Sequence, residues 1–418
     1  VFAYFFLLEN FPCFPIGKIC TLRCNKANRI RVAGEELLSE SSHIYEIAVI
    51  GAGIAGASVA AELSASGVHT VLIESESQPG YHTTGRSAAV YSPIYGPKSI
   101  RALTRAALSF FQNPPQDFCE CPLLSPIDAA FIAREDQMDH LETMAQELAD
   151  ATTVGRISGA ELQERLPLLR DGYAAAALWD TGTSEIDVAA LHQGYLRMFK
   201  AHGGVLMTRT PVTALSRTTE GWDIETAQST IKTTTVVNAA GAWADELGQM
   251  AGAERIGLTP KRRTALMIDA PNGIDLHSLP LTIDIEEQFY LKPDAGKLLI
   301  SPANEDPERP CDAQPDEMDI AICVDRIERA FDVKIKRVQN PWAGLRSFVA
   351  DKAPVVGFSQ KAEGFYWLAG QGGYGIQSAP GIAQYAAAEL RGEPVPEHIL
   401  AQNLTYESIR PERAGLGQ

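Results

Sequence analysis

The sequence predicts an α/β fold, and three observations carry that prediction. An apolar strand runs straight into a glycine-rich turn and a helix of small residues over YEIAVIGAGIAGASVAAELSASGVHTVLIES, residues 45–75. A second strand, glycine loop and helix occupy FYWLAGQGGYGIQSAPGIAQYAAAEL, residues 365–390. Between them strand-like and helix-like runs alternate, with no tandem repeat and no sustained heptad. A chain of 418 residues can bury large cores, and two domains are the natural expectation.

The first segment is justified residue by residue. Tyr45 to Ile50 reads as a buried strand, Ala55 to Ala65 as a helix stopped by Gly67, and Val68 to Ile73 as a second strand. In the turn, Gly51 permits the tight bend, Gly53 lets a pyrophosphate approach the backbone, and Gly56 lets helix and strand pack closely. Ile54 and Ala55 open the helix, whose positive end faces the phosphates. Glu74, eighteen positions after Gly56 and followed by Ser75, is placed to accept hydrogen bonds from a ribose and disfavours a 2′-phosphate. A glycine fingerprint between two strands, with an acid closing the second, points to an ADP-containing dinucleotide. It does not separate NAD from FAD.

The later elements follow the same logic. Gln137 to Ala149 and Glu161 to Leu166 read as helices, Phe289 to Leu291 and Lys297 to Ser301 as strands, and Asn304 to Pro315 as a loop. In the closing segment Phe365 to Ala369 is a strand, Gly370 to Gly375 a loop of bare backbone, and a helix runs on to Leu390.

A formal net charge of −16 argues against nucleic acid and anionic membrane surfaces as partners. The seven cysteines (Cys13, Cys20, Cys24, Cys119, Cys121, Cys311 and Cys323) are odd in number and sparse for a disulfide framework. That favours a reducing compartment and a cytoplasmic location, with peripheral attachment at the inner membrane as the alternative. Cys20-x-x-x-Cys24 and Cys119-x-Cys121 lack a second pair or a His cluster at zinc spacing, so no metal site is expected. Phe2 to Leu8 is too short to span a bilayer and lacks the flanks of a secretory signal, so no integral membrane segment is expected. Residues 1–43 read as a disordered extension or a start-site artefact.

Two further segments bear on the cofactor. QPGYHTTGRSAAVYSPIYG, residues 78–96, carries Thr84-Gly85-Arg86-Ser87 followed by Ala88 and Ala89, and VVNAAGAWADELGQMAG covers 236–252. With the closing segment they resemble the FAD-dependent D-amino-acid oxidase superfamily, which includes glycine and sarcosine oxidases and the D-amino-acid dehydrogenases. The resemblance runs from about Tyr45 to about Leu390 and is closest to bacterial D-arginine dehydrogenases, through FCECPLLSP, LHQGYLR, PKRR, FYLKPDAG, SPAN, WAGLRSFVAD and QGGYGIQ. It implies non-covalently bound FAD, since no Cys or His stands at a matching linkage position. The loop 84–89 would wrap the flavin's phosphates and ring. Val212, Ala239, Gly241, Trp243, Gly344, Gly372, Gly373, Tyr374, Gly375, Ile376 and Gln377 would complete the cofactor contacts. The implied fold interleaves a Rossmann-like FAD-binding domain (44–120, 195–258 and 340–410) with an antiparallel-sheet substrate-binding domain (121–194 and 259–339).

The resemblance also implies a substrate site for a small D-amino acid. A guanidinium fork suits a carboxylate better than an ammonium does, and Arg263 and Arg346 stand at matching positions, with Tyr95 and Tyr290 as supporting phenols. Read alone, the run Lys261-Arg262-Arg263 would be a solvated face and Arg346 a structural ion pair. Ser92, Leu281, Ile283, Gly373 and Gln377 complete the implied pocket. Hydride transfer from Cα to the flavin needs no protein base, and His82, His192 and His202 read as structural or surface residues. Two positions depart from the arginine-specific pattern: Val90 stands in place of a His, and Ala129 in place of an acid. Asp128 is adjacent, but in a strand it points to the opposite face. The expectation is therefore a dehydrogenase or oxidase with an apolar or broad side-chain preference, passing electrons to a quinone or to oxygen. The alternatives are a glycine, sarcosine or 2-hydroxy-acid flavin oxidoreductase and, from another class, a flavin-binding electron carrier or redox sensor with no small-molecule substrate.

Overall fold

Runs such as Ala48-Val-Ile50 and Val71-Leu-Ile73 are apolar without alternation, so they need cover on both faces. The computed structural model of the protein, which describes residues 44–417, supplies it. Strands Ile44–Ile50, Thr70–Ile73, Thr230–Asn238 and Phe365–Ala369 run parallel in an eight-stranded sheet, extended by antiparallel strands at its margins. Helix Ile54–Ala65 packs against helices Val188–Ala201 and Gly375–Leu390 on this sheet. Its contact face is built from Ala57, Ala60 and Ala61, all fully buried, and such small side chains let the helices approach closely.

Phe365–Ala369, Thr230–Asn238 and Ile44–Ile50 are adjacent, so the loops that leave their carboxyl ends emerge along one edge. These loops begin at Gly370, Ala239 and Gly51, and the carboxyl edge of a parallel sheet is where such folds bind ligands. Gly51 has φ +100°, and a Cβ there would lie 2.4 Å from the carbonyl oxygen of Ala239. A Cβ on Gly56 would lie 1.9 Å from the carbonyl oxygen of Gly51. The two glycines thus let strand, turn and helix nest.

The second sheet has nine strands. Its ladder is antiparallel except where Leu281–Asp284 lies parallel to Ala129–Ala133. Its longest pairing joins Thr259–Ile268 to Gln339–Phe348. Helix Glu317–Ala330 covers one face, burying Cys323, Ile327 and Ala330 with Leu266, Leu291 and Ile300. A small third sheet, Val90–Tyr91, Ser184–Ile186 and Leu124–Pro126, joins segments far apart in sequence. The described residues lie in one compact unit. Within it, helix Val188–Ala201 starts ahead of residue 195 and packs on the dinucleotide helix. Strand Gln339–Phe348, expected with the first sheet, belongs to the second, because ladder pairing with a ten-residue partner outweighs its nearness in sequence to the closing segment.

Local expectations compare closely. Phe365–Ala369 and Lys297–Ser301 are strands, and the helices fall at Met138–Glu147 and Gly159–Arg165. The loop after Asn304 differs by a two-residue strand, Asp306–Pro307, which pairs with Lys261 and Arg262. The expectations for Phe2–Leu8, Cys13 and Cys20-x-x-x-Cys24 lie outside the described residues. Cys119, Cys121, Cys311 and Cys323 are free thiols. Among the described residues no helix is long and apolar enough to cross a membrane.

The nesting at Gly56 leads to a direct expectation. Gly56→Ala lowers unfolding stability by at least about 2 kcal/mol, because the methyl has backbone on one side and Ala239 on the other. Urea denaturation measures it, and an unchanged midpoint contradicts the packing described.

Candidate active site

Three neighbouring cavities run along the carboxyl edge of the first sheet and into the space beneath the second. The first, about 370 Å³, is walled by the fingerprint turn, Glu74, Ser75, Thr84, Val212, Ala239, Gly241 and Trp243. Glu74 is buried and already anchored: one carboxylate oxygen accepts from the Ala52 N–H at 2.9 Å, the other from the Ser75 hydroxyl and the Glu76 N–H. Thr84 Oγ1 accepts the Ile54 N–H at 2.9 Å, which leaves the hydroxyl hydrogen for a group in the cavity. Thr83 and Thr84 also wall the second cavity, about 120 Å³, together with Ile54, Arg86, Ser87, Ala88, Ala89, Gly344, Gly372, Gly373 and the helix start Gly375, Ile376 and Gln377.

The chemistry of this cradle fits a dinucleotide with an electron-accepting ring. Neither helix Ile54–Ala65 nor helix Gly375–Leu390 has an acidic residue in its first turn, so both positive ends are left for an anionic or electron-accepting partner. A side chain on Gly53 would crowd Thr84 Oγ1 at 3.2 Å, and one on Gly372 would overlap the ring of Phe348 at 2.1 Å. Bare backbone is therefore kept on both sides of the slot.

The third cavity, about 70 Å³, shares Ala88, Val90, Tyr95, Arg263, Tyr290 and Arg346 with the second. Strand register explains the cationic wall. Arg263 stands opposite Gly344 and Arg346 opposite Lys261 on neighbouring antiparallel strands, so both arginines point to the same face. Arg263 is 7% exposed. Burial and then the neighbouring Arg346 lower its pKa, while Tyr290, Tyr95 and Glu287 oppose that. Burial acts on Arg346 in the same sense, but the two phenols and Glu287 outweigh it, so its pKa is raised. The salt bridges among the described residues include Arg263 to Glu305 at 3.4 Å and none to Arg346. Burial, then the Glu287 charge, raises Tyr95 against the pull of both arginines, so its phenol keeps a proton to donate. The result is a concentration of positive charge with too little anion, facing a cavity.

The opposite wall is apolar. Leu281 pairs with Ala129 and Ile283 with Phe131, placing four apolar side chains on one patch of two neighbouring strands. Asp128 points away and accepts from Trp179 Nε1 at 2.9 Å. The Ser92 hydroxyl is buried in this wall without a hydrogen-bond partner.

Several expected residues act at one remove. Gln377 walls the second cavity, not the third: its Oε1 accepts the Ser92 N–H at 3.0 Å, and its amide lies 3.5 Å from the Tyr95 carbonyl. Gly373 also walls only the second cavity and serves as a seat for Arg346, since a Cβ would lie 2.7 Å from Nη1. Arg86 spends its guanidinium on Asp312 and the carbonyls of Ala313 and Ala343, tying the 83–86 loop to strand Gln339–Phe348. Ala55, Gly56, Gly85 and Tyr374 line none of the three cavities. Ala55 and Gly56 belong to the helix behind the turn, Gly85 bonds Gly80, and Tyr374 packs on Tyr95.

Of the residues lining the third cavity, four were missed: Phe131, Thr183, Glu287 and Ala303. Glu287 (φ +56°) and Ala303 (φ +51°) are non-glycine residues in the left-handed region, a strain that often marks a functional site. The one local signal for Glu287 is Asp284-Ile-Glu-Glu-Gln between two strand-like runs, a turn that Asp284 pins by accepting the N–H groups of Glu286 and Gln288.

These features are those of a flavoenzyme. The chain belongs to the FAD dependent oxidoreductase family, which it matches over residues 46–389. It is 24% identical over 371 residues to the mitochondrial dimethylglycine dehydrogenase of Rattus norvegicus, covering 84% of this chain but 43% of that protein. The chain thus spans less than half the length of the dimethylglycine dehydrogenases that it matches. Glycine oxidase from Geobacillus kaustophilus superposes with a TM-score of 0.73 at 21% identity, covering 84% of this chain and 96% of that one. Iminodiacetate oxidase from Chelativorans sp. gives 0.72 at 20%, covering 84% and 96%. At these identities the likeness is one of fold. The protein is an FAD-dependent oxidoreductase.

His192, read from sequence as structural, sits beneath the fingerprint turn. Its Nε2 lies 2.9 Å from the Ala52 carbonyl, so the neutral imidazole donates there. Burial lowers its pKa, opposed by that bond and by Glu74. The unfolded chain takes up this proton near pH 6.5, while the native imidazole takes it up only at lower pH. Stability is therefore full above about pH 6.5 and is lost as pH falls through the native value. In urea titrations across this range, His192→Gln is expected to flatten that acid limb, and a limb of unchanged slope assigns it to other groups.

Proposed function

We propose that the protein oxidises the CH–NH₂ group of a D-amino acid with an apolar side chain to the imine, which water converts to a 2-oxo acid and ammonia. The observation that carries this reading is the Arg263–Arg346–Tyr95–Tyr290 wall shared by the flavin slot and the small apolar cavity. A carboxylate there supplies the missing anion, and two guanidinium contacts fix the substrate's orientation. The Cα–H bond breaks with its electron pair, the nitrogen lone pair forms the C=N bond, and a nitrogen proton leaves to solvent. Bound FAD supplies the hydride acceptor. The phenols of Tyr95 and Tyr290 stand on the same wall and donate to the carboxylate. No His or Lys lines the small cavity, and the reaction requires none.

The names of the relatives support an amine substrate that bears an acid: dimethylglycine, glycine and iminodiacetate all carry a carboxylate one carbon from nitrogen. The D configuration and the free amine rest on the sequence resemblance. So does the choice of a dehydrogenase over an oxidase, with a quinone or oxygen as acceptor, whereas a cytoplasmic setting rests on the sparse cysteines. The apolar preference rests on Ala129, Phe131, Leu281 and Ile283, where an arginine-specific site would present an acid. A basic side chain is the second reading, favoured by the Glu287 carboxylate at the rim.

An anaerobic substrate panel tests the reading. D-Leu and D-Met are expected to bleach the flavin absorbance faster than D-Arg, and L-amino acids and dimethylglycine are expected to leave it. Faster bleaching by D-Arg transfers the assignment to the second reading, and bleaching by dimethylglycine alone refutes both.

The seat at Gly373 sharpens the test. Gly373→Ala pushes Arg346 off its position, and kcat/KM falls by about a hundredfold, in line with the cost of an ångström-scale misplacement. Arg346→Lys loses at least about tenfold, since an ammonium cannot reproduce the fork. Steady-state kinetics on the best panel substrate measure both, and wild-type values in either variant remove Arg346 from the carboxylate site.

A further inference from the structure

The strand that carries Arg263 is gripped from behind by one buried carboxylate. Side chains of Thr259–Ile268 alternate, so Arg263 faces the cavities while Arg262 and Thr264 face helix Glu317–Ala330. Asp319 stands in the first turn of that helix and is 7% exposed. Its Oδ2 accepts from Arg262 Nε, Thr264 Oγ1 and Asn304 Nδ2, each at 3.0 Å.

The ladder around Arg263 shows why a grip is needed there. On one side Thr259–Ile268 pairs with Lys297–Ser301 at Leu266–Ile300 and then loses it, and pairing resumes only at Arg262–Asp306. In the gap, Ser301–Glu305 peels away, with Ala303 in the left-handed region. Side chains stitch the gap instead. Ser301 Oγ donates to the Thr264 carbonyl at 2.6 Å and accepts the Ala303 N–H at 3.0 Å. Asn304 Oδ1 accepts the Thr264 N–H at 2.9 Å. The freed Asn304 carbonyl then accepts Arg263 Nε at 2.9 Å. Asp319 binds both strand residues that flank Arg263 and the side chain of the loop residue whose carbonyl orients it.

We propose that Asp319, acting through Asn304, is a positioning residue for Arg263 and thereby sets the affinity for the substrate's carboxylate. This rests on the reading that Arg263 binds a carboxylate. Asp319 touches neither substrate nor flavin. It fixes the direction of one guanidinium through Asn304 and the two residues that flank Arg263, so its loss falls on carboxylate binding and not on hydride transfer.

The test uses the FAD-loaded enzyme with propionate as a simple carboxylate probe, its dissociation constant read from the perturbation of the flavin absorbance. Asp319→Asn is expected to raise that constant and the KM of the best panel substrate by about tenfold, with saturated kcat within about threefold. Asn304→Ala, which keeps the loop carbonyl but cuts the side-chain links to Thr264, Asp319 and Asp306, is expected to raise them about fivefold. It remains informative if Asp319→Asn does not fold. A lowered melting temperature with an unchanged propionate constant makes the network merely structural and overturns the proposal. A fall in kcat alone also overturns it. If the wild type binds no propionate, the carboxylate reading of Arg263 fails first and the positioning role with it.

Discussion

Two like charges held side by side in a partly desolvated wall are the constraint around which this molecule is organised. Arg263 and Arg346 come from neighbouring strands and face one way because antiparallel register leaves them no choice. Their mutual repulsion and the cost of burial are offset in part by the phenols of Tyr95 and Tyr290, and from outside by Glu287 and Glu305. None of these cancels the charge. A site that stays positive in a low-dielectric setting binds an anion strongly and discriminates against molecules that lack one.

The surroundings can be understood as support for that arrangement. Glycine at 344 leaves space opposite Arg263, and glycine at 373 provides the seat of Arg346. Glu305 serves Arg263, Lys261 and Lys352 at once, and although burial raises its pKa, these cations hold it below the usual carboxylate range. The cofactor cradle contributes its own rigidity. Glu74, Thr84 and His192 each tie the fingerprint turn to a different segment, so the turn is shaped by protein contacts alone. The second and third cavities share side chains, the arrangement on which the proposed transfer from a bound acid to the flavin rests.

Much of the cofactor half was legible in the chain because its information is local. The spacing of Gly51, Gly53 and Gly56, the acid at 74 and the bare loop 370–375 each state a backbone requirement that neighbours in sequence fulfil. The substrate half was legible only through resemblance. Arg263 read alone belongs to a basic run of three, yet alternation turns Arg262 to carboxylates on the other face, and Lys261, on the same face as Arg263, lies less buried beside Glu305. Gln377 and Gly373 were placed in the pocket but act on it through Ser92, Tyr95 and Arg346. Phe131, Thr183 and Ala303 gave no pattern, and Glu287 gave only a turn, since a pocket wall drawn from separate strands and turns has no period.

By itself the sequence determined that a dinucleotide would lie on the carboxyl edge of a parallel sheet, because glycine positions and strand hydrophobicity act over a few residues. Tertiary structure alone decided which charges would be stranded together and which would be neutralised. That outcome depends on register between strands some eighty residues apart and on a helix carboxylate behind them. Coulombic balance is a property of distances through space, and no stretch of chain encodes them on its own.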